Sequence, residues 1–240
     1  MNTNSARPYL AWLSHLLAPS RCALCDCEIP SQHGLCATCL ADLPCFSYPT
    51  GGNLLLQPDI AAGVSFRYCD GLFSCGWYQG ALAHWLSAIK FNNQLYYKAA
   101  LWQLLTQQWQ LWCAAQAELP FDLLLIMPLH RNRYWLRGYN QVWQSWQPVL
   151  ASYASLACLK RARATRAQSA LGRRARLSNV ANAFTTTYSL TGLRVALLDD
   201  VLTTGATLDS AAHACKQAGA VSVWAMTLAV TPYSPAALKV

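Results

Sequence analysis

The densest chemistry in the chain lies in Val195-Ala196-Leu197-Leu198-Asp199-Asp200-Val201-Leu202-Thr203-Thr204-Gly205-Ala206-Thr207-Leu208. An apolar strand here delivers two adjacent carboxylates to its C-terminal edge, which is where α/β sheets bind ligands. Small hydroxyl residues and one glycine follow, so backbone N–H groups, Thr hydroxyls and the next helix N-terminus can converge into an anion cradle. Carboxylates beside an anion site conflict unless a sugar lies between them. Two carboxylates can accept hydrogen bonds from vicinal hydroxyls while the cradle takes a phosphate on the same sugar. A ribose 5-phosphate group meets both demands. A capped strand-turn-helix would explain one Asp, but not two followed by Thr-Thr-Gly-Ala-Thr.

Two basic segments precede this loop. Pro128 to Gln141 places Arg131, Arg133 and Arg137 beside Tyr134, Trp135, Gly138, Tyr139, Asn140 and Gln141. Arg offers a planar fork for phosphate oxygens, and Gly138 lets backbone approach closely. Arg161 to Asn182 includes Arg163, Thr165, Gln168, Leu171, Arg176 and Asn179, and reads as an arm over a ligand. No acidic residue lies between Asp122 and Asp199, an interval holding eleven of the Lys and Arg residues. With a net charge of +8, this interval attracts phosphate-rich ligands or nucleic acid. Cations follow a single-strand backbone while Tyr134, Trp135 and Tyr139 supply stacking surfaces.

Cysteine use points to a third chemistry. Cys22-x2-Cys25 and Cys36-x2-Cys39 can surround one Zn2+ as a closed, structural tetrahedral site, which would supply much of the folding energy of so small a module. The count of 11 cysteines is odd, and the tight pairs suit a reduced metalloprotein better than a disulfide framework. Cys27 is a less well spaced substitute ligand. Cys69, Cys75, Cys113, Cys158 and Cys215 read as core residues.

The elements that must position these groups alternate strand and helix. Strands are expected at Leu72–Tyr78, Leu123–Met127, Arg194–Leu198 and Val221–Val230. Helices are expected at Gly80–Phe91, Tyr97–Ala117, Asn140–Ser155 (kinked or divided by Pro148) and Ala206–Gln217, the last stopped by Gly219. Short, wholly apolar strands between crossover helices imply an α/β domain with a mainly parallel sheet. Residues 1–60 read as an N-terminal helix, the cysteine module and a linker, and residues 61–240 as the α/β domain. An apolar fraction of 54% and a charged fraction of 12% suit a globular core and argue against disorder. Most of the ten Trp residues read as packing. Gln residues interrupt the apolar run Ala99–Ala117, so no membrane span is expected. Tyr9–Ala18 is short and lacks a convincing cleavage site, which reads as an amphipathic helix of a cytoplasmic protein.

The Asp-Asp loop resembles the signature of the phosphoribosyltransferases, and the order of motifs is similar to the ComF family of competence-related proteins. The matching runs are Arg137-Gly138-Tyr139-Asn140-Gln141, then Thr165, Gln168, Leu171, Arg176 and Asn179, then Asp199 to Thr207. The resemblance implies a type I phosphoribosyltransferase-like sheet flanked by helices, behind a four-cysteine zinc module. It implies that phosphoribosyl pyrophosphate (PRPP), or a nucleotide-like phosphoribosyl ligand, binds with Mg2+ at Asp199 through Thr207. Arg133, Arg137, Gly138, Asn140, Gln141, Arg163, Gln168 and Arg176 would meet pyrophosphate or nucleic acid. It further implies single-stranded DNA binding in DNA uptake or utilisation, with uptake helicase or channel proteins as partners. Transfer of the phosphoribosyl group to a nitrogenous acceptor is the alternative activity; no cysteine follows Met1 to generate ammonia as an amidotransferase would.

Overall fold

A computed structural model describes residues 20–30, 33–92, 94–128, 140–161 and 183–233. The N-terminal helix expected before Ser20 therefore lies outside the described residues, as do Arg133, Arg137, Gly138, Arg163, Gln168 and Arg176. Strands β1 (Ser20–Arg21) and β2 (Glu28–Ile29) and helix α1 (Ala37–Ala41) build the cysteine module. After α2 (Pro58–Ala61) come β3 (Gly71–Trp77), α3 (Gly80–Asn92), α4 (Lys98–Ala114) and β4 (Leu123–Ile126). They are followed by α5 (Gln141–Ser145), α6 (Gln147–Leu150), β5 (Ser155–Leu156), β6 (Leu159–Arg161) and β7 (Phe184–Thr186). The chain continues through β8 (Arg194–Leu198), β9 (Val201–Leu202), α7 (Ala206–Gln217) and β10 (Ser222–Val230).

The main sheet has the order β3-β10-β8-β4-β5, with β9 added beside β10. Every pairing in it is parallel, as the unbroken apolar runs require of strands covered on both faces. Alternation then sorts side chains to two layers. On one face Phe73, Leu124, Ile126, Ala196, Leu198 and Met226 pack under α3, α4, α5 and α6. On the other, Leu72, Leu125, Val195, Leu197 and Ala225 pack under α7 with Leu208, Ala211 and Cys215. A ring cluster fills the first layer: Trp109 lies 5.4 Å from Phe73, 5.1 Å from Trp112 and 6.2 Å from Trp146. These rings meet the expectation of packing, whereas Trp143 is exposed.

Three features differ from the sequence reading. The helix expected over Asn140–Ser155 ends at Leu150, although its division at Trp146, ahead of Pro148, is as expected, because Pro148 supplies no N–H and is placed in the opening turn of α6. Residues Ser155–Leu156 instead add a strand to the sheet edge. The antiparallel pair β6–β7 was not anticipated, since each strand has only three residues.

The cysteine module rests on the same core as the sheet. Cys22, Ile29 and Leu35 are buried with the α3 and α4 side chains. Gln103 on α4 fixes the seat: its Oε1 accepts from the N–H groups of Gly34 at 3.0 Å and Leu35 at 2.9 Å. A Cβ on Gly34 would come within 2.0 Å of the Ala100 backbone, so glycine is needed for this close approach.

Candidate functional site

Strand β8 occupies the middle of the sheet, with β10 on one side and β4 on the other. Its apolar residues Val195 to Leu198 are fully buried, so the chain leaves the core at Asp199 in a fixed register. The Asp199 N–H donates to the Met226 carbonyl at 2.9 Å, and the buried Trp146 indole donates to the Asp199 carbonyl at 2.9 Å. The Asp200 carbonyl accepts from Leu228 at 3.0 Å and Ala229 at 3.2 Å. Backbone and indole contacts from separate elements thus hold both aspartates rigidly, which a preorganised site requires.

The two carboxylates have different surroundings. Asp200 is buried, and Lys90 Nζ on α3 lies 2.8 Å from its Oδ1. Gln141 Nε2 donates to the other oxygen, Oδ2. Asp199 Oδ1 accepts the Asp200 N–H, at 2.9 Å. Burial, then the neighbouring Asp200 charge, push the Asp199 carboxyl up to about 7, against the opposing pull of the Asp200 N–H, Lys90 and Arg161. One acid of the pair is matched by a lysine, while burial and the neighbouring charge favour the protonated form of the other.

Beyond the pair, β9 carries Val201 and Leu202 along β10, and the chain turns at Thr203 to Gly205 into α7. Gly205 has φ 84°, and an added Cβ would lie 2.6 Å from the Phe66 ring. Glycine is therefore required for both conformation and space. No side chain caps the N-terminus of α7, so its first N–H groups face the turn. Residues Val64 to Tyr68 wall this turn: the Ser65 N–H donates to the Thr204 carbonyl at 3.2 Å, and Asp209 Oδ1 accepts from Arg67 and Tyr68 at 2.8 Å each. Thr203 is exposed, Thr204 and Thr207 are partly exposed, and Ala206 is buried.

The remaining described site candidates converge here. Asn140 caps α5, its Oδ1 accepting from the Val142 N–H at 3.0 Å, and reaches the Met127 carbonyl at the end of β4 at 3.3 Å. This cap presents Gln141 to Asp200. Sequence reasoning missed Lys90, although it is the one charged residue in the Gly80–Asn92 helix. It also missed Arg161 as a neighbour of Asp199: the guanidinium lies 4.9 Å over the Phe184 ring, at the end of the unanticipated β6–β7 pair.

In the N-terminal module, Cys22, Cys25, Cys36 and Cys39 bring their sulfur atoms within 4.8 Å of one another. Cys25 Sγ and Cys36 Sγ are 3.8 Å apart, matching the roughly 3.8 Å edge of a tetrahedron with Zn–S bonds of about 2.3 Å. Backbone N–H groups favour the thiolate at Cys36 as at Cys22, whereas the Cys25 and Cys36 sulfur atoms push the Cys39 thiol up. Although burial opposes it, N–H groups of Cys25, Cys36 and Leu24 lower the Cys22 thiol to about 6. This arrangement could hold a metal ion such as zinc. Cys27 stands outside the four-sulfur group, and among the described residues no other cluster of this kind occurs. Cys75, Cys158 and Cys215 are buried as core residues, while Cys69 and Cys113 are only partly so.

No family model matches the chain. It is 32% identical over 230 residues to the DNA utilization protein YhgH of Salmonella typhi, covering 91% of this chain and 96% of the relative. It is 28% identical over 231 residues to Competence protein F of Haemophilus influenzae, covering 90% of this chain and 93% of the relative. The Escherichia coli K12 DNA utilization protein YhgH is 28% identical over 228 residues, covering 88% and 98%. With the first relative matched almost end to end, and with the sheet, the acidic pair and the four-cysteine cluster in place, the chain belongs to the ComF family.

Proposed function

We propose that this protein takes part in DNA uptake or utilisation and binds a phosphoribosyl ligand, PRPP or a nucleotide-like relative of it, at Asp199 to Thr207. One observation carries the reading: a rigid acidic pair, Asp200 buried and Asp199 partly exposed, opens beside an uncapped helix N-terminus across a glycine turn that tolerates no side chain. Sugar hydroxyls would meet the acid end, and the 5-phosphate would take the N–H groups of the turn and the Thr hydroxyls. The relatives named for DNA utilisation and competence supply the process. We assign single-stranded DNA binding to the Lys and Arg residues of the acid-free interval between Asp122 and Asp199, and uptake helicase or channel proteins are the partners this role calls for. The four-cysteine cluster would carry structural zinc, holding the module on α4.

Calorimetric titration of the full chain with PRPP and magnesium, with and without a short single strand of DNA, tests the reading. Saturable heat that disappears in an Asp199→Ala/Asp200→Ala variant of unchanged zinc content supports the site. Absence of heat in the wild type overturns it. Pyrophosphate release during the titration would add turnover, and so phosphoribosyl transfer, to binding.

A further inference from the structure

The acidic pair poses an electrostatic problem for any phosphorylated ligand. Two adjacent carboxylates in a partly buried edge repel an incoming anion unless a cation stands with them. A magnesium ion is one solution and takes its ligands from oxygen atoms. The Asp200 oxygens face other donors instead, Lys90 Nζ on Oδ1 and Gln141 Nε2 on Oδ2. A divalent ion bound to Asp200 would sit within a few ångströms of the Lys90 ammonium and be repelled by it. The arrangement does not fit a metal bridging the two aspartates.

Lys90 already supplies a positive charge to Asp200. Its side chain is 17% exposed and that of Asp200 11%, so the pair is largely withdrawn from solvent, where its attraction is weakly screened. It projects from the last turn of α3, where the helix dipole favours a cation. Asp199, by contrast, keeps one oxygen that accepts no hydrogen bond among the described residues.

We propose that Lys90 is the built-in counter-cation of the acidic pair: it fixes Asp200 as a positioning residue, leaves Asp199 as the carboxylate that meets ligand hydroxyls, and lets the cradle take a sugar phosphate without a divalent ion on Asp200. The inference rests on the phosphoribosyl reading above and divides the roles within that site. Groups facing Asp199 and Asp200 are then Lys90 from α3, Gln141 from α5 and Arg161 from β6.

The test is calorimetric titration of the full-length protein with ribose 5-phosphate, in buffer cleared of divalent ions by a chelating resin and again with magnesium chloride. Wild type should bind with affinities equal within about twofold in the two buffers. Lys90→Met should lose about tenfold or more without magnesium, since Asp200 is left uncompensated beside the phosphate site. Because that variant could be too unstable to purify, Lys90→Met/Asp200→Asn provides the second arm. Removing both charges restores neutrality, and most of the magnesium-independent affinity should return. Three outcomes would overturn the inference alone: wild-type binding only with magnesium, Lys90→Met binding like wild type, or a folded double variant that fails to bind. A wild type silent in both buffers would instead sink the phosphoribosyl reading and the inference with it.

Discussion

The two ends of strand β8 hold carboxylates under opposite conditions. At the start, Asp122 lies at the rim of the sheet. Arg194 Nη2 is 2.7 Å from its Oδ1, and the Arg194 N–H donates to Oδ2 at 2.9 Å. Those bonds, side chain first, hold the Asp122 carboxyl below its ordinary range. At the far end of the strand, burial raises Asp199 to about 7. Asp122 is fully matched by its arginine, whereas Asp199, partly exposed, has its neighbouring lysine on Asp200 and keeps an oxygen that accepts no hydrogen bond among the described residues. A protein that sought only stability would pair both ends alike. The C-terminal edge keeps an acceptor open at a cost in stability, which is the feature on which the proposed site rests.

The strongest way to break the comparison is at Lys90. Lys90→Met strands Asp200 in a pocket whose other partner is the neutral Gln141. Removing one member of a buried pair costs about 3–5 kcal/mol, or a fall in Tm of roughly 2–4 °C per kcal/mol for a chain of this size. Differential scanning calorimetry at pH 7.5 should show that drop, and adding Asp200→Asn should recover most of it. An unchanged Tm for the single variant would mean the pair is solvated, and the contrast between the two strand ends would collapse.

How far the site was visible beforehand follows from the same residues. Asp199, Asp200 and Gly205 were legible because their chemistry is contiguous: a strand, two acids and a turn that needs glycine within a dozen positions. The spacing of Cys22, Cys25, Cys36 and Cys39 was legible for the same reason. Strand β8 and helix α7 carry the bounds read from their apolar pattern, since short buried strands and glycine-bounded helices declare their ends locally. Lys90 was hidden. It reaches Asp200 only after α3 packs across the sheet, and nothing in Ala88-Ile89-Lys90-Phe91 distinguishes a buried partner from a solvated helix end. The β6–β7 pair was hidden too, because two three-residue strands distant in sequence are specified by each other and by the core beneath them. Local signals therefore revealed the acidic pair, its glycine turn and the cysteine spacing, while the residues that set the charge around the pair depended on tertiary contacts.

A smaller effect sharpens the contrast through pH. The Asp199 carboxyl is raised in the folded protein relative to the unfolded chain, so folding favours its protonated form. Its contribution to stability is full below the unfolded value and is lost as pH rises through about 7. Asp199→Asn should thus leave Tm nearly unchanged at pH 4 and raise it above wild type at pH 8. At pH 8 the same variant should bind ribose 5-phosphate more weakly, as the charged acceptor of the hydroxyls is gone. Thermal scans across this range check the sign. A variant less stable than wild type at pH 8 would show that the ionised carboxylate is well satisfied there, and that Asp199 differs little from Asp122.

The smallest change belongs to the rim. Arg194→Gln removes the guanidinium bonds to Asp122 and the 3.0 Å contact with Glu118 but keeps the backbone donation to Asp122. Exposed pairs of this kind contribute little and are screened by salt. Tm should fall slightly in low salt, and the difference should shrink in high salt. The sign with pH is opposite to that at Asp199. A lowered carboxyl stabilises above its unfolded value, so the gap between wild type and variant should close as pH falls through the depressed Asp122 value. Ligand affinity should not move, because the substitution lies at the opposite edge of the sheet. If instead Arg194→Gln destabilised as much as Lys90→Met, both ends of β8 would be stability devices, and the open oxygen on Asp199 would lose its significance as a site.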